Sequence, residues 1–435
     1  MAKFDCIVVT CASLKWATAI EAELAILRNR NIIPTSTKTL TVEDPANNIG
    51  SGAATLNALL VVTELLSADS GYTVISPDVL TKSRILVLHH GREYAYEPCG
   101  KAFMALPNKV DGTASNLENL LRLVSQMQEN GPPGVWICST DMVLSCSETG
   151  RSPRLSGIIS VMTFHAINWE TVKGGLLVCC ASDPQYATGH GAVMTDPDGN
   201  VSSILYCGTL EALHNYTRPD GTVLVVSGIV FLSAEVAESL LALQAKSPLD
   251  SCTYMGVDSG AEPMQMSLFF DLLVAMTTGV SRESFENGSC GRWYDHKFCL
   301  ARKEAAQRAR SLIWEELSWH ILKPYVLEGG THQYLSNDTT AEEHSKRFLE
   351  TSEVNSFLHS ALEAKRSKCV LMNTLLRCTR RCHVGDCSVL KDCCLEAADI
   401  FVGQNCYLNG VTLALKDEVS CVFFLIFTVF MNSST

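Results

Sequence analysis

The sequence lacks an apolar run of about twenty residues, the length needed to cross a bilayer. Its start, Met1-Ala2-Lys3-Phe4-Asp5-Cys6, places an acid where a secretory leader needs an uninterrupted apolar core. Both absences lead us to expect a cytoplasmic chain with no membrane contact. Basic residues are also scarce, 34 against 46 acidic, giving a net charge of −12 and an isoelectric point near 5.4. That balance disfavours nucleic acid and anionic lipid as partners, so an anionic small ligand would need a local cradle. Charged residues make up only 18% against 47% hydrophobic, which excludes disorder, and 435 residues suffice for two to three domains. Cysteine is abundant instead: nineteen thiols, an odd number scattered without a leader, read as reduced and buried, Cys6 and Cys179 among them, rather than as a disulfide framework.

Apolar spacing alternates between strand and helix periods from the start. Cys6 to Val9 reads as a strand, Trp16 to Leu27 as a helix, Thr39 to Val42 as a strand and Ala54 to Leu66 as a helix. Further strands are expected at Ile85 to Leu88, Val135 to Cys138, Leu176 to Cys180 and Val223 to Phe231. Helices are expected near Leu117 to Met127, Ala234 to Leu243, Met266 to Met276 and Arg302 to Leu322. The rhythm is that of an α/β fold with a mostly parallel sheet covered by helices on both faces. Thr195-Asp196-Pro197-Asp198-Gly199-Asn200 carries turn chemistry and predicts a hairpin between Met194 and Tyr206, outside the parallel sheet.

Beyond about Ser367 short apolar pairs recur with glycine and cysteine, in Cys382-His383-Val384-Gly385-Asp386-Cys387 and in Ile400-Phe401-Val402-Gly403-Gln404-Asn405-Cys406. Glycine corners, small inward residues and stacking aliphatics are what a hexapeptide solenoid rung requires, and only its beginning is present. Cys378, Cys382, His383, Cys387, Cys393 and Cys394 have gaps that match no paired zinc motif, so they read as interior thiols. The division expected is residues 1–350 as one α/β domain, 351–416 as an incomplete solenoid, and 417–435 as an apolar, non-native tail.

Five segments carry candidate chemistry. Gly50-Ser51-Gly52-Ala53-Ala54-Thr55 precedes an apolar helix, where glycines let backbone approach a phosphate and a helix N-terminus attracts its charge; a purely structural turn is the alternative. The strand ending in His89-His90-Gly91-Arg92, followed by Gly100-Lys101, offers two cations at a sheet's carboxyl edge, with surface ion pairs the alternative and the two histidines read as structural. Asp141 ends an apolar strand beside them, where a Mg²⁺ bound to a nucleoside triphosphate would be held, unless it merely caps the next turn. Ser227 and Gly228 offer a small polar group inside a strand for sugar hydroxyls, or a plain bulge, and Asp271 is either a second metal carboxylate or a satisfied structural acid.

Long phrases then carry a resemblance. Val42-Glu43-Asp44-Pro45, Gly50 to Leu59, Pro133-Gly134-Val135-Trp136-Ile137-Cys138-Ser139-Thr140-Asp141, Arg218-Pro219-Asp220-Gly221 and Cys252 to Ala261 resemble the N-terminal part of the L-fucokinase family. That family shares a GDP-fucose pyrophosphorylase-like region with fucose-1-phosphate guanylyltransferase.

The resemblance implies a Rossmann-like sugar nucleotidyltransferase sheet followed by the start of a left-handed parallel β-helix. It implies GTP or ATP with Mg²⁺ and L-fucose or L-fucose-1-phosphate as ligands, and attack of the sugar phosphate on the α-phosphorus with pyrophosphate leaving. Carried over, Gly50 and Gly52 cradle the nucleotide, Arg92 and Lys101 are the catalytic cations on the triphosphate and sugar phosphate, and Asp141 holds the metal; the residues themselves add Ser51, Thr55 and Gly91 as nucleotide-binding, Ser227 and Gly228 as sugar-binding, and Asp271 as a second metal carboxylate. The family's kinase phosphate loop is missing from this sequence, which leaves a second expectation: a regulatory or assembly module, self-associating through its rungs, whose parent kinase activity resides in a further domain.

Overall fold

The computed structural model describes residues 4–46, 48–91, 94, 96, 100–108, 112–146, 167–288, 300–327, 329–336, 369–372, 374–415 and 418–421. They fall into two compact units, which do not follow the linear division expected from the sequence. Met1–Gly91, Leu120–Leu144 and Thr163–His332 make the first, and Arg92–Asn119, Ser145–Met162 and Gln333–Thr435 the second.

In chain order the strands up to residue 334 are β1 (Cys6–Cys11), β2 (Lys38–Glu43), β3 (Arg84–His89), β4 (Ala105–Asn108), β5 (Gly112–Ser115), β6 (Gly134–Ser139), β7 (Met142–Cys146), β8 (Gly175–Ser182), β9 (Gly191–Thr195), β10 (Val201–Tyr206), β11 (Val223–Ser233), β12 (Leu322–Val326) and β13 (Gly330–Tyr334). The first unit is built on a nine-stranded mixed sheet. β2, β1, β3 and β6 lie side by side and parallel. β1 is buried at every residue, as a strand covered on both faces must be, and this accounts for its unbroken apolar sequence. β11 then runs antiparallel to β6 on one flank and to β8 on the other, and its first half meets β9 where its second half meets β6. The β9–β10 hairpin forms where its turn residues predict it, but it belongs to the main sheet through β11.

The helix α1 (Leu14–Asn29) leads from β1 to β2, and α2 (Gly50–Asp69) from β2 towards β3. By length and composition α2 could cross a membrane, against the expectation from sequence that no segment could. It is the one such helix among the described residues, and 72% of its apolar window is buried inside the protein, as befits a core helix that is apolar all the way round. Leu56, Leu59, Leu60 and Val62 lie in the same core as Val8, Val87 and Ile137. The late helix, Leu300–Leu317, is shorter than expected, because Leu322 opens β12, which returns to the sheet parallel to β8.

In the second unit, three short strands, β14 (Val370–Met372), β16 (Val389–Lys391) and β18 (Tyr407–Asn409), stack in parallel. Between them run β15 (Leu375–Val384), β17 (Cys394–Val402), β19 (Thr412–Ala414) and β20 (Glu418–Cys421), also parallel. Aligned partners Val370, Val389 and Tyr407 are offset by 19 and then 18 positions. Leu371, Leu390 and Leu408 share one interior with Leu395, Ile400 and Val402. Gly385 sits against Gly403 so closely that a Cβ would lie 2.6 Å from the Gly403 carbonyl carbon, so this corner has no room for a side chain. Glu418–Cys421 pairs with Asp399–Val402 and is therefore part of the stack rather than of a detached tail; the rest of that tail, from 422, lies outside the described residues.

The junction at the start of α2 makes a strong demand on sequence. Gly50 has φ +80° and a Cβ there would meet the Met266 carbonyl oxygen at 2.4 Å. Gly50→Ala is expected to lower stability by roughly 1–3 kcal/mol, from the left-handed backbone and the backbone collision together. Urea denaturation of the two proteins measures it, and an unchanged midpoint would refute the account.

Candidate functional site at the carboxyl edge of the parallel strands

From β1 the chain moves outward to β2 and then crosses to β3 on the opposite side of β1. The sheet therefore changes winding direction between β1 and β3, and the crevice beyond their carboxyl ends is where ligands bind in open α/β sheets. Residues 10–13, 44, 89–91 and 139–141 reach this edge. Hydrogen bonds fix its geometry: the His90 amide donates to the Thr10 carbonyl at 3.1 Å and the Thr140 amide to the His89 carbonyl at 3.0 Å. The Thr140 hydroxyl donates to the His90 carbonyl at 2.6 Å. The Trp16 ring, in the first turn of α1, lies 4.8 Å from the His90 ring.

These bonds bring together two of the residues singled out in the sequence. Gly91 has φ +78°, and a Cβ on it would fall 2.3 Å from Oδ1 of Asp141, so the glycine leaves room for that carboxylate. Asp141 is half-buried, and its amide accepts no helix role but donates to the Ser139 hydroxyl at 3.2 Å. A carboxylate held over bare backbone at a sheet's carboxyl edge can bind a hard cation that keeps its other ligands from water and phosphate. Among the described residues no three His, Cys, Asp or Glu side chains converge as a closed metal site. Asp141 thus fits an open Mg²⁺ site better than a protein cage.

Other predicted residues are engaged elsewhere. The Gly52 amide donates to the Met266 carbonyl at 2.9 Å, and a Cβ on Gly52 would lie 2.8 Å from the Ser267 carbonyl carbon. The Ser51 hydroxyl accepts from the Leu268 amide at 3.1 Å. The glycine-serine turn therefore packs against residues 266–268, which favours the structural turn over the phosphate cradle. Thr55 is buried, with its hydroxyl 3.0 Å from Nε2 of His89, whose Nδ1 lies 2.9 Å from the Thr10 hydroxyl. Burial holds His89 mostly neutral, its pKa down at about 4, so Thr55 and His89 form a core link between α2, β3 and β1 and not a nucleotide contact.

Asp271 is buried, with one oxygen accepting from Nε of Arg310 at 3.1 Å and the other from the Ser267 amide at 2.8 Å. Both oxygens are occupied within the fold, which favours the satisfied structural acid over the metal ligand. In place of the single helix expected at Met266 to Met276 the chain forms a π-type turn, Leu268–Leu272, and a tighter turn, Leu273–Met276. Ser227 and Gly228 form a bulge where β11 exchanges β9 for β6 as neighbour. The buried Ser227 hydroxyl accepts from the Ile229 amide at 3.3 Å, and Gly228, φ +78°, leaves room for Met142, whose Cε would meet a Cβ at 2.4 Å. The bulge reading, not the sugar reading, accounts for both.

Lys101 belongs to the second unit. It is 2% exposed, its ammonium 5.6 Å from the Tyr94 ring centroid and 5.8 Å from that of Tyr334, a position that holds a cation on aromatic faces. Arg92 lies outside the described residues.

Sequence reading passed over two parts of the edge. One is the turn Cys11-Ala12-Ser13 between β1 and α1, which lacks the glycines that would have drawn attention to it. The other is Asp44, at the end of β2. Its amide donates to the Cys11 carbonyl at 2.8 Å, and its Oδ1 is buried with no hydrogen-bond partner among the described residues. Burial, with the charge of Glu43 beside it, pushes the Asp44 carboxyl up to about 7. The signal was present in Val42-Glu43-Asp44-Pro45, an acid at a strand's carboxyl end.

Residues 77–433 match the fucose pyrophosphorylase domain family. The chain belongs to that family. A bifunctional fucokinase/GDP-fucose pyrophosphorylase from Arabidopsis thaliana is 27% identical over 298 residues, 62% of this chain and 27% of the relative. The chain thus spans about a quarter of the length of the curated relative it matches.

Two expectations test the assignments in this fucose pyrophosphorylase domain. Asp271→Asn leaves the buried Arg310 guanidinium without its anion and is expected to cost roughly 3–5 kcal/mol of stability, with the loss unaltered by added Mg²⁺; a Mg²⁺-dependent difference in the thermal midpoint would restore Asp271 as a ligand. For Asp44 the folded pKa, about 7, lies above the unfolded value near 3.9. Between these values the native state holds a proton that the unfolded chain has lost, so stability is fully present below about pH 4 and declines as pH rises through about 7. Asp44→Asn is expected to flatten that decline, measured as urea midpoints from pH 4 to 8; parallel curves for the two proteins would contradict it.

Proposed function

We propose that the chain is the nucleotidyltransferase-like part of GDP-L-fucose salvage, binding a nucleoside triphosphate and L-fucose-1-phosphate at the carboxyl edge of its parallel strands. The family match over residues 77–433 carries this reading, and Asp141 held over Gly91 gives it a chemical centre. The reaction is in-line attack of a sugar phosphate oxygen on the nucleotide α-phosphorus, with pyrophosphate as the leaving group. Bound Mg²⁺ supplies neutralisation of the triphosphate charge, and Asp141 is the residue that would hold it. The chain's own contribution is mainly positioning. The turn at residues 11–13 and the backbone at 89–91 present the edge on which the triphosphate lies. Substrate phosphate charge in an acidic protein is met locally rather than by net charge.

The second unit we read as the first rungs of a left-handed parallel β-helix, supported by the 18- and 19-residue offsets of its stacked strands. Leu375 and Phe401, 42% and 50% exposed, support self-association along this stack. Fourteen of the cysteines are free thiols, in support of a cytoplasmic setting. A second reading, a regulatory or assembly module without activity of its own, is favoured by one observation. The start of α2, the glycine-rich turn that would cradle phosphate, is closed by residues 266–268.

The deciding experiment incubates the protein with L-fucose-1-phosphate, GTP and Mg²⁺, and separately with L-fucose and ATP, following pyrophosphate and ADP. Pyrophosphate release is expected in the first mixture, lowered at least 100-fold in Asp141→Asn together with weaker Mg²⁺-dependent GTP binding; roughly this loss follows removal of a group that stabilises transition-state charge. Absence of pyrophosphate from folded wild-type protein that still binds GTP would establish the module reading, and ADP from fucose would place kinase activity in this chain.

A further inference from the structure

Hydrogen bonds fix the backbone on both sides of the Glu43–Asp44 peptide. The Asp44 amide donates to the Cys11 carbonyl at 2.8 Å. The carbonyl of the preceding Glu43 accepts from the side-chain amide of Asn57 at 3.3 Å, and Asn57 is itself fixed by accepting from the Tyr254 amide at 2.9 Å. Two anchors therefore set where the Asp44 carboxyl can lie, yet its buried Oδ1 has no partner among the described residues. An oxygen left so is costly, because burial removes its water without returning a hydrogen bond. Burial of an acceptor at a ligand-facing edge is resolved when the ligand brings the donor.

The position selects the donor. Asp44 ends β2, one strand spacing of about 4.8 Å from the end of β1, on the flank of the sheet away from Asp141. A nucleotide whose phosphates lie beyond the crevice of β1 and β3 carries its ribose towards either β2 or β6. The carboxyl of Asp141 takes the side of β6, where the phosphate-bound cation belongs. The ribose is left the side of β2. A carboxyl at that point offers acceptors to a vicinal pair of hydroxyls, which bring the donors that the described residues do not supply.

We propose that Asp44 is a specificity-determining residue that accepts hydrogen bonds from the ribose hydroxyls of the bound nucleoside triphosphate. The inference rests on the nucleotide-binding reading given above. Asp44 selects ribonucleotides over deoxyribonucleotides, and it does so without touching the reacting phosphates. Hydrogen bonds to an acceptor of this kind give roughly tenfold discrimination or more.

The test measures binding of GTP, 2′-deoxy-GTP and 3′-deoxy-GTP, each with Mg²⁺, by titration calorimetry on the full chain. Wild-type protein is expected to bind GTP at least about tenfold more tightly than one or both deoxy analogues. In Asp44→Ala the three affinities should converge within about twofold at the wild-type deoxy value, while Asp44→Asn, which keeps an acceptor oxygen, retains an intermediate preference. Equal affinities in the wild type would overturn the proposal without any variant having to fold. An undiminished preference in Asp44→Ala would overturn it too, as would a variant that loses L-fucose-1-phosphate affinity and keeps the nucleotide preference. If the wild type binds none of the three nucleotides, the nucleotide-binding reading itself fails, a result distinct from equal binding of all three.

Discussion

The seam between the start of α2 and residues 266–271 governs the first unit. The Met266 amide donates to the Ile49 carbonyl and the Gly52 amide returns a bond to the Met266 carbonyl, while the Ser51 hydroxyl reaches the Leu268 amide across 217 positions of sequence. The first amides of a helix need partners, and here the chain itself supplies some of them. Asp271 holds the covering turn by bonding both the Ser267 amide and Arg310, which lies on the helix Leu300–Leu317. One seam thus couples the core helix, the covering turn and the last long helix, and it does so through polar groups that have no water to fall back on. Removing any one leaves another buried group unsatisfied.

A consequence follows for where chemistry can occur. The helix start that would be the ready-made anion site is closed, so the ligand-facing edge moves to the turns that follow β1, β2, β3 and β6. The parallel strands bring those turns into one row, and the bonds from residues 90 and 140 to their neighbours lock the row in register. Gly91 and Asp141 come from different strands, 50 positions apart in sequence, and meet only because β3 and β6 are parallel neighbours.

Strand and helix periods were legible wherever a segment is covered on both sides or carries a clear amphipathic pattern. Ala234–Leu243 and the hairpin at Gly191–Tyr206 fall where spacing and turn residues put them. The site was less legible, because glycine and aspartate answer to several demands that look alike in sequence. Gly50 and Gly52 serve close backbone packing, Gly91 makes room for a carboxylate and Gly228 makes a bulge, and nothing local separates these uses. Asp271 and Asp141 likewise both follow apolar residues directly or closely in sequence. What distinguishes them is Arg310, a residue 39 positions from Asp271 that no local pattern points to. Asp44 was hidden for the opposite reason: its phrase was visible, but only the loss of hydrogen-bond partners on folding marks it out.

The same contrast orders the buried titratable groups. His89 is buried between two threonine hydroxyls, an arrangement that satisfies both ring nitrogens and keeps the ring neutral, and its cost of burial is borne by the core that it links. Asp271 is buried with a cation and an amide, and its charge is matched within the fold. Asp44 has the burial, and its Oδ1 has no hydrogen-bond partner among the described residues. Some polar groups of this unit find partners across up to 217 positions of sequence, whereas Oδ1 of Asp44, at the edge where the strands end, finds none among the described residues. The physical difference between a structural acid and a recognition acid in this chain is therefore where the missing donor comes from, within the chain for Asp271 and from outside it for Asp44.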